Sequence, residues 1–163
     1  MKWNEIADFR YMETAKGIVG DINNNITGRV ALNNMLRATH VLYIIKTLHR
    51  DKCKTVLEIG TLWGGALLTM MQSEYSSKFV SVDMFEGFYP DLLGEGNSDQ
   101  DHGINTIELV TENINKNNPW NHEYDLIKGS SHDSKVINYV KENYPEIDLL
   151  FIDGDHTKKG VLQ

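Results

Sequence analysis

The stretch that decides the fold runs from Thr55 to Gly65 and reads Thr-Val-Leu-Glu-Ile-Gly-Thr-Leu-Trp-Gly-Gly. Its first half, up to Gly60, is a short apolar run ending in glycine, which predicts a buried strand and a tight turn. The residues Ala66–Gln72 are predicted to form a helix. Such a turn gathers free N–H groups beside a backbone that a ligand can approach, although it can also carry glycines for purely structural reasons.

Three more strand patterns follow, separated by helical patterns. The strands are predicted over Lys78–Asp83, Tyr124–Lys128 and Ile147–Asp153, and the helices over Ile104–Asn117 and Ser134–Tyr144. Alternating strands and helices predict βαβ units in a parallel sheet, and near-continuous apolar strands indicate helices on both faces. We therefore expect an α/β, Rossmann-like fold with a mainly parallel sheet.

The N-terminal third is predicted to be helical. A weak apolar stripe recurs every three residues over Trp3–Met12, and Gly17 and Gly20 are expected to end this first helix. A polar turn is predicted over Asp21–Gly28 and a second helix over Ala31–His49. This helical segment is expected to cap the site or to pack on the sheet.

Composition limits the partners and the setting. The 163 residues include 16 Lys and Arg against 23 Asp and Glu, and the formal net charge of -7 disfavours a nucleic-acid partner. The single cysteine, Cys53, excludes an internal disulfide and favours a reducing, cytoplasmic location. The longest apolar run, Val41–Ile45, is far too short to span a membrane, so no membrane partner is expected.

Polar residues mark the ends of the second and fourth strands. Asp83 lies 23 positions after Gly60, where a carboxylate can accept hydrogen bonds from ribose hydroxyls, and this geometry alone leaves the cofactor open. Asp153 can hold a hard divalent cation, and His156 can act as a general base. Alternatively, Asp155 caps a following helix and His156 faces solvent.

The Glu-x-Gly-Thr-x-x-Gly-Gly string resembles the first motif of class I methyltransferases that use S-adenosyl-L-methionine (SAM). Leu62 occupies the second glycine position of the dinucleotide motif, which disfavours an NAD-dependent oxidoreductase. The resemblance implies that the first turn surrounds the methionine part of SAM and that the Gly-Ser pair after the third strand lies beside the adenine. The implied cofactor residues are Glu58, Gly60, Thr61, Trp63, Gly64, Gly65, Asp83, Met84, Gly129, Ser130 and Ser131. Alternatively, Ser131 or Asp133 caps the next helix.

The string Phe151–His156 resembles the fourth motif of a metal-assisted group related to macrocin O-methyltransferases and cephalosporin hydroxylases. In related catechol and caffeoyl-CoA methyltransferases, an Asp at the Asp153 position binds the metal and a Lys three residues later is the base. His156 stands at that place here. The resemblance implies a SAM-dependent O-methyltransferase acting on a hydroxyl of a small molecule or sugar, with Mg²⁺ or another divalent cation.

A second metal motif falls in the long connection after the second strand. Asn97, Asp99, Asp101 and Glu108 match positions 1, 3, 5 and 12 of an EF-hand loop. His102 stands where the sharp turn needs glycine, so calcium binding is the weaker interpretation.

Residues 1–50 are thus predicted as a helical segment and residues 51–163 as a SAM-binding core that is incomplete after the fourth strand. The family continues with about three more strands, so Leu149–Phe151 would form an exposed edge. We expect either a longer chain or pairing of this strand with another chain, including a second copy. The alternative function is a non-catalytic SAM-binding domain that acts with a partner.

Overall fold

A computed structural model of the chain describes residues 9–28, 30, 43–45, 47–48, 50–75, 78–86 and 105–154. The named helices and strands are, in chain order, α1 (Phe9–Asn25), β1 (Thr55–Ile59), α2 (Gly65–Met70), β2 (Lys78–Asp83), α3 (Ile107–Asn117), β3 (Glu123–Lys128), α4 (Ser134–Asn143) and β4 (Leu149–Ile152). The described residues between 43 and 51 also have helical backbone, which agrees with the end of the second predicted helix. Residues 31–42 of that helix lie outside the described residues.

The four strands form one parallel sheet in the order β3-β2-β1-β4. The chain moves outward from β1 to β3 and then returns to the other side of β1. The strand order therefore reverses between β1 and β4, and their carboxyl ends form the kind of crevice at which open α/β sheets bind ligands. The predicted α/β, Rossmann-like fold is confirmed.

Alternate residues of the central strand face two different layers. Val56 packs with the buried residues of α1, α2 and α3. Leu57 faces the opposite layer, where Val136 of α4 packs against the sheet. Helices therefore cover both faces, as a sheet with apolar interior strands requires.

The predicted end of the first helix at Gly17 and Gly20 is wrong, because α1 continues through both glycines to Asn25. Each glycine costs a helix about 1 kcal/mol relative to alanine. Ala15, Val19 and Ile22 recur at helical spacing and are buried, and the apolar area that they remove from water outweighs that cost.

The remaining boundaries agree with the sequence predictions to within a few residues. β2 is Lys78–Asp83 as predicted, whereas β4 begins at Leu149, two residues later than expected. Among the described residues, none of the helices is both long and apolar enough to cross a bilayer.

Candidate functional site

The carboxyl ends of all four strands meet along one edge of the sheet. The N–H of Asp153 donates to Ile59 O at 2.8 Å, and a Cβ on Gly60 would lie 2.5 Å from Asp153 O. On the other side of β1, Gly60 N–H donates to the carbonyl of β2, and Gly129 N–H donates to Asp83 O at 2.9 Å. Four segments that are distant in sequence therefore lie side by side along this edge.

The carboxylate of Asp83 organises the first turn. Its Oδ2 accepts from the N–H groups of Thr61 at 2.6 Å and Leu62 at 3.1 Å. Its Oδ1 accepts from Phe85 N–H at 2.8 Å and from Asn105 Nδ2 at 3.4 Å. Because a carboxylate offers about four acceptor positions, these bonds leave Asp83 closely engaged with its own chain.

Two asparagines hold the first turn from the side of α3. Asn105 Nδ2 donates to Leu62 O at 3.2 Å, and Asn113 Nδ2 donates to Trp63 O at 3.0 Å and to Thr27 O at 2.9 Å. Thr27 N–H in turn donates to Asn113 Oδ1 at 2.9 Å. Neither asparagine was among the residues predicted from the sequence, although an amide beside the apolar face of α3 was a signal that could have identified Asn113.

Glu58 is a fully buried carboxyl group near the end of β1. Its Oε2 accepts from the hydroxyl of Ser81 at 2.7 Å, and that hydroxyl also hydrogen-bonds the hydroxyl of Thr61. Its Oε1 has no hydrogen-bond partner among the described residues. Burial is the main cause that raises the pKa of Glu58 to about 8; the charges of Asp83 and Asp153 contribute to the same rise, and the hydrogen bond from Ser81 opposes it.

The other predicted residues of the first turn differ in what they offer a ligand. Trp63 is fully buried, and its indole lies so close to Gly28 that a Cβ there would come within 2.3 Å. Its side chain therefore belongs to the core, and only its backbone can face a ligand. Gly64 has a φ of 85° and precedes Gly65, the first residue of α2, while Met84 is half-buried beyond the end of β2.

The residues after β3 begin in a turn that precedes α4. Gly129 has a φ of 150°, and a Cβ there would lie 2.7 Å from Val136. Ser130 Oγ accepts from His132 N–H at 3.2 Å, whereas Asp133 caps α4 by accepting from the Lys135 N–H at 2.8 Å. Asp133 therefore caps α4, and the hydroxyl of Ser131 takes no part in this cap.

Of the two predicted catalytic residues, Asp153 and His156, the structure describes only Asp153, which is also the predicted metal ligand. Asp153 is exposed at the end of β4, whereas His156 lies outside the described residues. In the described part of the chain, no group of three or more His, Cys, Asp or Glu side chains could hold a metal ion. One carboxylate is too few to define a cation site. Of the EF-hand positions only Glu108 is described, in the first turn of α3.

Comparisons with known proteins agree with this architecture. No protein-family model and no curated protein matches the chain. An O-methyltransferase from Bacillus cereus, solved in complex with SAH, is similar with 18% identity and a TM-score of 0.52, over 93% of this chain and 60% of that one. The cofactor-bound Rv0187 from MTB is similar with 17% identity and a TM-score of 0.50, over 91% and 55%.

The chain therefore spans less than two thirds of the length of either structure. At these identities the likeness establishes the fold. The predicted resemblance is confirmed at the level of the fold, because the chain shares the Rossmann-like architecture of these two structures.

Proposed function

We propose that this chain is the SAM-binding part of a SAM-dependent methyltransferase that acts on a hydroxyl of a small molecule or sugar. The observation that carries the proposal is the buried carboxyl group of Glu58, whose Oε1 lacks a partner among the described residues at the strand-order switch. The ammonium group of the methionine part of SAM is a suitable partner for it. The likeness in fold to an SAH-bound O-methyltransferase supports the same conclusion.

The electrostatics of the first turn favour this ligand over a dinucleotide. In dinucleotide-binding proteins the N–H groups of this turn receive the pyrophosphate. Here the N–H groups of Thr61 and Leu62 already donate to Asp83, so the Asp83 carboxylate accepts the hydrogen bonds that a pyrophosphate would need.

Asp83 is proposed to bind the ribose as well as the turn. Its half-buried carboxylate lies beside Thr61, and the long contact from Asn105, at 3.4 Å, is the weakest of its bonds. A ribose hydroxyl that replaced this contact would donate to Oδ1 without breaking the turn. Met84, Gly129, Ser130 and Ser131 are proposed to line the remainder of the adenosine.

When bound, SAM supplies an electrophilic methyl group. The chain has to hold the cofactor rigidly so that methyl group and acceptor oxygen align. Asp153, exposed at the mouth of the crevice, and His156 are proposed to face the acceptor, with His156 taking its hydroxyl proton. A divalent cation at Asp153 stays a prediction, because the described residues provide too few ligands for it.

Calorimetric titration with SAM, SAH and NAD tests the proposal. We expect SAM and SAH to bind and NAD not to bind, and the opposite result would overturn the assignment. Asp83→Ala should weaken SAH binding by about tenfold or more, the loss of one or two charge-assisted hydrogen bonds. Asp21→Ala, an exposed position on α1, is the matched control and should leave the dissociation constant unchanged.

We also propose that the domain works with a second copy through β4. The observation that favours this partner is the exposure of Leu150 and Ile152, 54% and 67%, on an edge strand. Apolar side chains on an edge strand favour pairing with another chain.

A further inference from the structure

Glu58 combines complete burial with incomplete hydrogen bonding. Its side chain is 0% exposed, and Ser81 is its hydrogen-bond donor, at Oε2. Oε1 receives no hydrogen bond from the described residues. A buried carboxylate usually has both oxygens satisfied, because an unpartnered charged oxygen in the interior is costly.

The charges around Glu58 have the same sign as its own. Asp83 at the end of β2 and Asp153 at the end of β4 both act on it, and no described Lys, Arg or His contributes to its electrostatic surroundings. Burial and these two carboxylates favour the neutral form, and the pKa of Glu58 is raised to about 8. Glu58 is therefore a neutral acid near pH 7, buried near the carboxyl end of β1.

We propose that Glu58 holds a proton while the crevice is empty and exchanges it for the ammonium group of the ligand. This inference rests on the proposed function, and it makes Glu58 a residue that selects for ligands with a cation. The proton passes from the carboxyl group to the solvent, and the carboxylate then pairs with the ammonium group. No covalent bond other than that O–H bond changes.

Two consequences separate this exchange from an ordinary polar contact. Uptake of the ligand releases a proton, so affinity should rise about tenfold per pH unit from pH 6 and level off above pH 8. A ligand with the same adenosyl group but no amino acid should neither release a proton nor show this pH dependence, because nothing then replaces the proton on Glu58.

The experiment uses SAH and 5′-methylthioadenosine, which shares the thioether and adenosine but lacks the ammonium group. SAH carries no sulfonium charge, so the ammonium is the only cation that it brings. Titrations at pH 7 in two buffers with different ionisation enthalpies give the number of protons released. We expect about 0.9 proton per SAH for a group that titrates near pH 8, and none for 5′-methylthioadenosine.

Glu58→Gln keeps the size of the side chain and removes the exchange. We expect this variant to release no proton and to bind SAH at least tenfold more weakly than the parent chain at pH 8. Its affinity for 5′-methylthioadenosine should stay within threefold of that of the parent chain. Glu142→Gln, an exposed position on α4, is the matched control and should behave as the parent chain. If Glu58→Gln does not fold, as judged by circular dichroism, the comparison of the two ligands on the parent chain decides.

The outcomes distinguish this inference from the proposed function. If SAH binds without proton release, or if Glu58→Gln releases the same number of protons, the exchange at Glu58 is overturned and the SAM assignment stands. If the parent chain does not bind SAH at any pH between 6 and 9, both are overturned.

Discussion

Gly60 lies at the closest approach between the ends of β1 and β4. Its φ is 92°, and an added Cβ would meet backbone atoms of Asp153 and Gly154 at 2.5 Å. Those atoms are held by the Asp153 N–H bond to Ile59 O and cannot withdraw without breaking it. A side chain at position 60 therefore has to strain its own backbone and to separate two strand ends.

We predict that Gly60→Ala lowers the free energy of unfolding by about 2–4 kcal/mol, from overpacking and left-handed strain together. Urea denaturation measures the change. Gly20→Ala is the control, because an added Cβ at that position of α1 meets nothing within 4 Å. It should leave stability unchanged or raise it by up to about 1 kcal/mol. Equal effects of the two substitutions would contradict the proposed contact at Gly60.

The protonation of Glu58 makes the free energy of unfolding of the ligand-free chain depend on pH in a specific way. Its folded pKa, about 8, lies above the ordinary value of 4.5, so between these limits the folded state binds one more proton than the unfolded state. The stabilisation is complete below pH 4.5 and is lost as the pH rises through 8. The free energy of unfolding should therefore fall with pH by up to about 1.4 kcal/mol per unit relative to Glu58→Gln.

Denaturation of the parent chain and of Glu58→Gln between pH 5.5 and 8 measures this slope as a difference. The difference removes the contribution of other groups, such as His122, whose pKa burial lowers and whose effect has the opposite sign. Parallel stability curves for the two proteins would show that Glu58 is ionised in the empty crevice.

At the scale of elements, α3 connects the N-terminal segment to the first turn through Asn113. The side chain is buried, and it makes three hydrogen bonds to the backbone of Thr27 and Trp63. These residues are separated by 50 or more positions in sequence. The turn is therefore positioned by an element that is not adjacent to it along the chain.

We predict that Asn113→Ala destabilises the fold by about 3 kcal/mol, because it leaves buried backbone groups unsatisfied. Hydrogen exchange at residues 61–65 should accelerate in the same variant. Asn115→Ala provides the control on the same helix, since Asn115 is exposed and its Oδ1 accepts a hydrogen bond from the hydroxyl of Tyr124 at the surface. A loss below about 1 kcal/mol for Asn113→Ala would mean that α3 does not position the turn.

The same elements mark what could be predicted from the sequence. Strand β2 was predictable to the residue because a sheet covered on both faces requires an apolar run, which its sequence provides. Helix α1 was not, because the burial that carries it through Gly17 and Gly20 is a tertiary effect. The strand-end residues were predictable because parallel strands end at one edge, whereas the contact of Asn113 with Trp63 depends on a register that one sequence does not reveal.

At the scale of the molecule, the strand order determines where a ligand can bind. Because β4 returns to the far side of β1, the turn at Gly60 and the end of β4 line the switch point together. The same return places β4 at the edge of the four described strands. Asp148 fixes its beginning by accepting from the N–H groups of Lys54 and Thr55, at 2.7 and 3.0 Å, so β4 is held firmly although β1 is its one neighbour among the described strands.

A firmly held, apolar edge strand favours self-association of the chain. We predict that sedimentation at increasing concentration gives an average mass above the 18.6 kDa of one chain. Ile152→Lys should return the mass to that of one chain, because a charge on an exposed edge opposes pairing. Tyr75→Lys is the control: Tyr75 is 43% exposed and precedes the interior strand β2, so this substitution should leave association unchanged. A concentration-independent mass of one chain for the parent protein would contradict pairing through β4.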